Sequence, residues 1–227
     1  MMDSILESVA RVRESIDRAA RASGRTGSDI TLVAAAKQNS ADAVRAAVAA
    51  GVDAVGENRV QELLEKDALG AYEGTSLHFI GRVQSNKLSK LVGRVSLIQS
   101  ADSIEALRTI DRLAAGKGLV QDILLEVNIA GEGTKGGFSH EAVSDILPEA
   151  RRLTSVRVRG LMAIPPFVAD PEDNVPYFRQ MRSLFERHVF PGFDILSMGM
   201  SGDFEAAVRE GASMVRVGSS IFGQRTY

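Results

Sequence analysis

A run of small apolar residues, LVAAA (32–36), ends in Lys37. An ammonium at the end of a strand-like apolar run is partly desolvated, which lowers its pKa and exposes a nucleophilic amine. Such an amine forms imines with carbonyl compounds. Far along the chain, SMGMSGDFEAAVREG (197–211) places Ser201 and Gly202 at a strand-to-helix junction, where unpaired backbone N–H groups and the helix dipole favour an anion. The next segment, MVRVGSSIFG (214–223), sets Gly218 and Ser219 just after another apolar strand. Arg216 lies two residues before that glycine and projects inward if the strand alternates. An imine-forming lysine and an anion cradle at one mouth together suit an aldehyde that carries a phosphate.

Each of these residues also has a plainer reading. Lys37 can pair with a carboxylate such as Glu57 or extend to solvent. The SGD turn can be a simple helix cap, and Asp203 repels a phosphate unless it points away. Arg216 can be half of an ion pair across the mouth. If the aldehyde phosphate is pyridoxal 5′-phosphate (PLP), an Asp or Arg is expected to face the pyridine nitrogen. An arginine cannot accept a proton, so it keeps that nitrogen unprotonated and weakens the ring as an electron sink. Other chemistry finds little support. His78, His140 and His188 show no paired ligand spacing, so a metal site is not expected, and His78 reads as a hydrogen-bonded core histidine. The sequence has no cysteine, hence no disulfide or thiolate site. GEGTKGG (131–137) lacks phosphate-loop spacing, and no G-x-S-x-G elbow occurs.

The elements that must position these residues alternate in type. Candidate strands cover 31–37, 54–58, 77–82, 96–102, 122–129, 158–164, 194–200 and 213–223, and amphipathic helical patterns separate them. Ser40 and Ser103 suit N-caps, and Gly51 and Gly116 suit left-handed helix stops. Strands this continuously apolar have no wet face, which points to a parallel sheet covered by helices. A single (β/α)8 TIM-type barrel with an extra N-terminal helix, carrying Ile5, Val9, Val12 and Ile16 on one face, is the expected fold over residues 1–227. An open doubly wound sheet is the rival, without the glycine fingerprint it would normally carry. Function in such a barrel sits at the C-terminal strand ends, with phosphate often held after strands seven and eight. Pro148 is expected to interrupt a helix begun near Ser139, and 165–174 to form an ordered loop.

With 227 residues, a formal charge of -2 and 44% hydrophobic residues, the chain reads as one ordinary globular domain without the basic surplus of a nucleic-acid binder. No apolar run reaches the roughly 20 residues of a spanning helix. A cytoplasmic setting is compatible with the cysteine-free composition.

In six ordered blocks the chain resembles the pyridoxal phosphate homeostasis proteins: LVAAAK, GENRVQE (56–62), HFIGRVQSNK (78–87), RGLMAI (159–164), SMGMSGDFEAA (197–207) and VRVGSSIFG (215–223). The resemblance covers nearly the whole length. It implies a single barrel similar to the N-terminal domain of alanine racemase, with PLP bound covalently by the lysine aligned with Lys37. It also implies a role in vitamin B6 and amino-acid homeostasis without established catalysis. Ser201, Gly218 and Ser219 then fall on phosphate contacts, Arg216 on the residue facing the ring nitrogen, and Asn58 and Met162 on pocket-lining positions. Where many members read T-K-P after the lysine, this chain reads Gln38, Asn39, Ser40, so a second lysine near the cofactor is missing. A monomeric cofactor carrier serving PLP-dependent apoenzymes is the leading expectation. The rivals are an amino-acid racemase-like enzyme, for which a second base is required, and an interaction module that leaves Lys37 without a ligand.

Overall fold

The computed structural model describes residues 2–82, 84–133 and 136–223. Eight parallel strands close into a barrel in the order of the chain. They are β1 (Thr31–Ala35), β2 (Ala54–Glu57), β3 (Ser76–Phe79), β4 (Leu97–Ala101), β5 (Gln121–Val127), β6 (Val156–Ala163), β7 (Ile195–Met200) and β8 (Met214–Val217). The seam is β1 against β8, with Thr31 opposite Met214 and Val33 opposite Arg216. Every strand is thus paired on both edges, and residues 32–34 of β1 are fully buried, as a sheet covered on both faces requires.

Helices follow the strands on the outside: α2 (Ala41–Ala49), α3 (Val60–Ala68), α4 (Leu88–Leu91), α5 (Ile104–Ala115), α6 (Val143–Ala150), α7 (Val175–Glu186), α8 (Phe204–Arg209) and α9 (Ser219–Phe222). The additional helix α1 (Met2–Ala22) packs against α2, α8 and α9, covering the outside of the β8–β1 seam. Its buried face is Ile5, Val9, Val12 and Ile16, spaced as the sequence predicts. Each such side chain contributes about 1.5–3 kcal/mol by leaving water. No helix among the described residues is long and apolar enough to cross a membrane.

Local details differ from expectation in instructive ways. The helix carrying Pro148 begins at Val143 rather than near Ser139. Just before Ser139 the chain turns back onto β5, where Phe138 bridges Val127 and its N–H donates to the Glu126 carbonyl at 2.8 Å. Pro148 lies inside α6, which ends two residues later. Gly51 takes the expected left-handed conformation, whereas Gly116 stays right-handed and Gly118 makes that turn. The loop after β6 contains a short 3-10 turn at Pro171–Asn174.

Strand alternation sorts side chains into an outer layer under the helices and an inner layer. Val33, Ala54, Leu97, Leu124, Met162 and Met214 form an apolar interior cluster. Residues two and four positions beyond them continue the same inward rows toward the C-terminal mouth.

Candidate functional site

That parity puts Lys37 in the inward row of Val33 and Ala35, and Arg216 in the row of Met214. The rows open into a cavity of about 890 Å³ at the C-terminal ends of the strands. Lys37, Asn58, Ser201, Arg216, Gly218 and Ser219 all line it. Six candidates from opposite ends of the chain therefore meet at one mouth. Met162 does not join them: it is fully buried in the interior cluster below and is not part of the cavity wall. The parity of β6 explains this, because Ile164, two residues on, takes the wall position instead.

Arg216 forms the floor. Its Nη1 donates to Ser197 Oγ at 2.6 Å and its Nη2 to the Ala163 carbonyl at 3.0 Å. Ser197 in turn donates to Gln99 Oε1 at 2.7 Å, and Gln99 Nε2 reaches His78 Nδ1 at 3.0 Å. A directed chain of hydrogen bonds thus crosses the barrel from β8 through β7 and β4 to β3, fixing the guanidinium plane. Burial pushes Arg216 down to about 10, so it remains charged at neutral pH. No ion pair holds it among the described residues; Glu126 and Asp203 act on it only through their fields.

The walls beside it are tied together by Ser201. Its Oγ accepts from the N–H groups of Gly218 at 3.0 Å and Ser220 at 3.4 Å, joining the turns after β7 and β8 into one cradle. Asp203 also lines the cavity, with both carboxylate oxygens engaged in scaffold hydrogen bonds. Its Oδ1 accepts from the Met200 N–H at 2.7 Å and its Oδ2 from Asn174 Nδ2 at 2.8 Å. On the neighbouring wall Gly81 abuts Asn58 so closely that a Cβ would lie 2.1 Å from the Asn58 carbonyl oxygen. Only glycine permits that approach, which sets where Asn58 enters the cavity. Across the mouth, Arg82, Glu126 and Asn128 form the far wall. Burial, with Asp102 nearby, raises the Glu126 carboxyl above its ordinary range, while Arg216 and Arg82 oppose the shift.

Outside the barrel wall, beneath Lys37, lies a group that sequence reading missed. Glu57 does not serve Lys37: its parity points it outward, where its Oε1 takes Lys66 Nζ at 2.7 Å and the Tyr72 hydroxyl at 3.0 Å. Burial raises the Glu57 carboxyl despite both donors. Lys66 also donates to the Ala36 carbonyl at 2.8 Å. Just past Lys37, Gln38 has a φ of 62°, the left-handed region that costs a non-glycine residue about 1–2 kcal/mol. Its N–H is held by Glu62 Oε2 at 2.7 Å.

The inner chain yields a pH prediction. Burial pushes His78 from 6.5 to about 4, so the fold holds it neutral. Unfolded, the imidazole titrates at its ordinary value, and the unfolded chain binds a proton that the fold refuses. The contribution is therefore complete above the unfolded pKa of 6.5 and is lost as pH falls toward about 4. Near pH 5 the loss amounts to about 2 kcal/mol. Glu57 and Glu126 act in the opposite sense, since both are raised. Urea unfolding of the parent and of His78→Gln at neutral pH and near pH 5 isolates the imidazole, and the variant should lose less stability on acidification. Equal losses would mean that His78 is protonated in the fold.

The chain's own residues fit a phosphorylated aldehyde with an aromatic nitrogen. Asn58 Oδ1 is buried on the cavity wall with no partner among the described residues, a polar atom awaiting a donor. Arg216 offers a rigid cationic donor, and the cradle offers hydroxyl and backbone groups. Among the described residues no three His, Cys, Asp or Glu side chains could hold a metal ion. Comparison with known proteins agrees with this chemistry. A family model described as the alanine racemase N-terminal domain matches residues 8–226. A pyridoxal phosphate homeostasis protein of Aquifex aeolicus is 42% identical over 225 residues, covering 97% of this chain and 98% of its own. One from Pseudomonas aeruginosa is 39% identical over 227 residues, covering 100% of this chain and 98% of its own. The structure of PipY from Synechococcus elongatus with PLP bound matches at a TM-score of 0.81 and 33% identity, covering 96% of this chain and 100% of that one. With relatives matched over their full length and the same barrel in PipY, the chain belongs to the pyridoxal phosphate homeostasis proteins, a family built on the alanine racemase N-terminal domain.

Proposed function

We propose that the protein holds PLP on Lys37 and acts as an intracellular carrier in vitamin B6 and amino-acid homeostasis, without steady catalytic turnover. The observation that carries this reading is the meeting of Lys37 with Ser201, Gly218 and Ser219 around one cavity whose floor is Arg216. The relatives, known as pyridoxal phosphate homeostasis proteins, and the PLP in the PipY structure support it. When bound, PLP supplies an aldehyde with which the Lys37 amine condenses to a Schiff base, releasing one water. Ser201, Gly218 and Ser219 hold the phosphate end, Arg216 faces the ring nitrogen as a donor, and Asn58 borders the ring. We assign the protein a single working domain, residues 1–227, monomeric and cytoplasmic, with PLP-dependent apoenzymes as recipients.

The carrier reading over a racemase rests on the chain's own bases. Tyr72 is engaged by Glu57 outside the barrel, and Tyr177 lies on α7; neither lines the cavity. Tyr227 lies outside the described residues. A fixed guanidinium at the ring nitrogen also disfavours the electron withdrawal that racemisation needs. The test is to incubate the protein with PLP, reduce with borohydride and map the adduct by mass spectrometry. A pyridoxyl group on Lys37 is expected; none, or one on another lysine, sinks the assignment. Sustained D-alanine production from L-alanine in deuterated water, with deuterium at the α-carbon, would make it an enzyme instead.

A further inference from the structure

We propose that α3 is the positioning element for Lys37, and that Lys66 and Glu62 are the residues through which it acts. The inference rests on the assignment of Lys37 as the cofactor-linking residue. Two peptide groups flank Lys37: the 36–37 peptide contributes the Ala36 carbonyl, and the 37–38 peptide contributes the Gln38 N–H. Each is held by a side chain of α3. Lys66 Nζ donates to the Ala36 carbonyl at 2.8 Å, and Glu62 Oε2 accepts from the Gln38 N–H at 2.7 Å. The two side chains sit one helical turn apart and lie 3.8 Å from each other, so they form one clamp around one residue.

The clamp is itself anchored. Lys66 is only 7% exposed and Glu57 is fully buried, with Tyr72 as the second donor to the same carboxylate oxygen. Burying an ammonium and a carboxylate against the outside of a barrel is costly, and an apolar pair would cover the strands at least as well. What an apolar pair cannot do is bind the Ala36 carbonyl. The turn it steadies needs holding, because Gln38 adopts a left-handed conformation without being glycine. Just beyond, Asn39 donates from its N–H to the Ala36 carbonyl at 3.1 Å and from its Nδ2 to the Lys37 carbonyl at 3.2 Å, closing the turn. The backbone at Lys37 is thus fixed on both sides while its side chain enters the cavity. In the condensation, Nζ adds to the aldehyde carbon, the carbonyl oxygen leaves as one water, and a C=N bond forms. A nucleophile displaced by about 1 Å reacts up to about 100-fold more slowly.

The experiment separates positioning of the amine from binding of the cofactor. Pyridoxine 5′-phosphate has the ring and phosphate of PLP with an alcohol where PLP has the aldehyde, so it reports on the cavity without the covalent step. Three full-length variants are compared with the parent: Glu62→Ala, Glu62→Gln, and Glu57→Leu with Lys66→Met. The last removes the buried charges together, so that no orphaned ion remains to unfold the chain. Calorimetry gives pyridoxine 5′-phosphate affinity, stopped-flow absorbance gives the rate of the Lys37 linkage with PLP, and thermal unfolding checks the fold. We expect affinity within about two-fold of the parent throughout, and a linkage rate reduced at least about ten-fold in Glu62→Ala and in the double variant. Glu62→Gln should recover most of the rate, because its amide oxygen still accepts the Gln38 N–H. Parent-like rates in the folded variants would overturn the proposal, as would an equal loss of pyridoxine 5′-phosphate affinity, which marks a merely structural role. If the double variant does not fold, the Glu62 pair decides alone. If the parent forms no lysine linkage at all, the cofactor assignment falls and the clamp with it; parent-like variants beside a linked parent remove the clamp only.

Discussion

Lys37→Ala protein is expected to show no imine absorbance with PLP and to yield no borohydride adduct, yet to retain measurable affinity for the cofactor. The cradle that joins the turns after β7 and β8 does not depend on the lysine. Hydrogen bonds to a charged phosphate are worth about 1.5–3 kcal/mol each, so the residual binding is visible by calorimetry. The reciprocal variant, Ser201→Ala with Ser219→Ala, should still form the imine at high PLP concentration. It should lose its cofactor on dialysis, with affinity down about 100-fold, equivalent to about 2.7 kcal/mol. Part of that loss comes from the Gly218 and Ser220 N–H groups, which Ser201 now satisfies. A double serine variant that retains PLP like the parent would put the phosphate elsewhere in the cavity.

Replacing Arg216 should separate function from stability. The guanidinium is 3% exposed, and its two direct acceptors are neutral, the Ser197 hydroxyl and the Ala163 carbonyl. Removing it therefore strands no opposite charge in contact. Relief of a desolvated cation offsets the two acceptors left unpaired, each about 1–3 kcal/mol. Arg216→Met is expected to keep the unfolding free energy of the apo protein within about 2 kcal/mol of the parent. PLP affinity should meanwhile fall about 10- to 100-fold with the loss of a charged hydrogen bond to the ring. Urea titration of the apo protein and PLP titration by absorbance check the two halves. A collapse in stability with little change in affinity would make Arg216 a scaffold residue.

The barrel was legible because its signals are local and repeated: apolar strands alternating with amphipathic helices, two of them capped by Ser40 and Ser103, and a first helix with a clean apolar face. The members of the site were legible where a polar residue stood at the end of an apolar strand, as Lys37, Asn58 and Arg216 do. Met162 was a different case, because its apolar side chain carries no sign of whether it sits in the wall or one layer down. Counting by twos from Val158 would mislead: Val158 packs in the outer cluster and Met162 in the inner one, because β6 carries an irregularity between its pairings with Ile123 and Leu124. The partners that orient the site were the hardest to see. Gln99 and Ser197 meet across the barrel from positions 98 residues apart, a relation fixed by barrel closure rather than by spacing. Glu57, at the end of the next strand, looked available to Lys37. Strand alternation turns it to the opposite face, toward a lysine on the next helix.

Closure of the barrel through β1 and β8 also has a consequence for biosynthesis. Lys37 follows the first strand, whereas Arg216, Gly218 and Ser219 belong to the last, and Val33 pairs with Arg216 at the seam. During vectorial synthesis the amine emerges from the ribosome long before the cradle and the floor exist. Contacts of such large sequence separation form late, after the entropy of closing the whole chain has been overcome. On the proposed site assignment, a nascent chain presents Lys37 before the residues proposed to hold the cofactor have been made. On the same assignment, a chain truncated before β8 would carry Lys37 without Arg216, Gly218 and Ser219, and so without the floor and half of the cradle that would select the aldehyde.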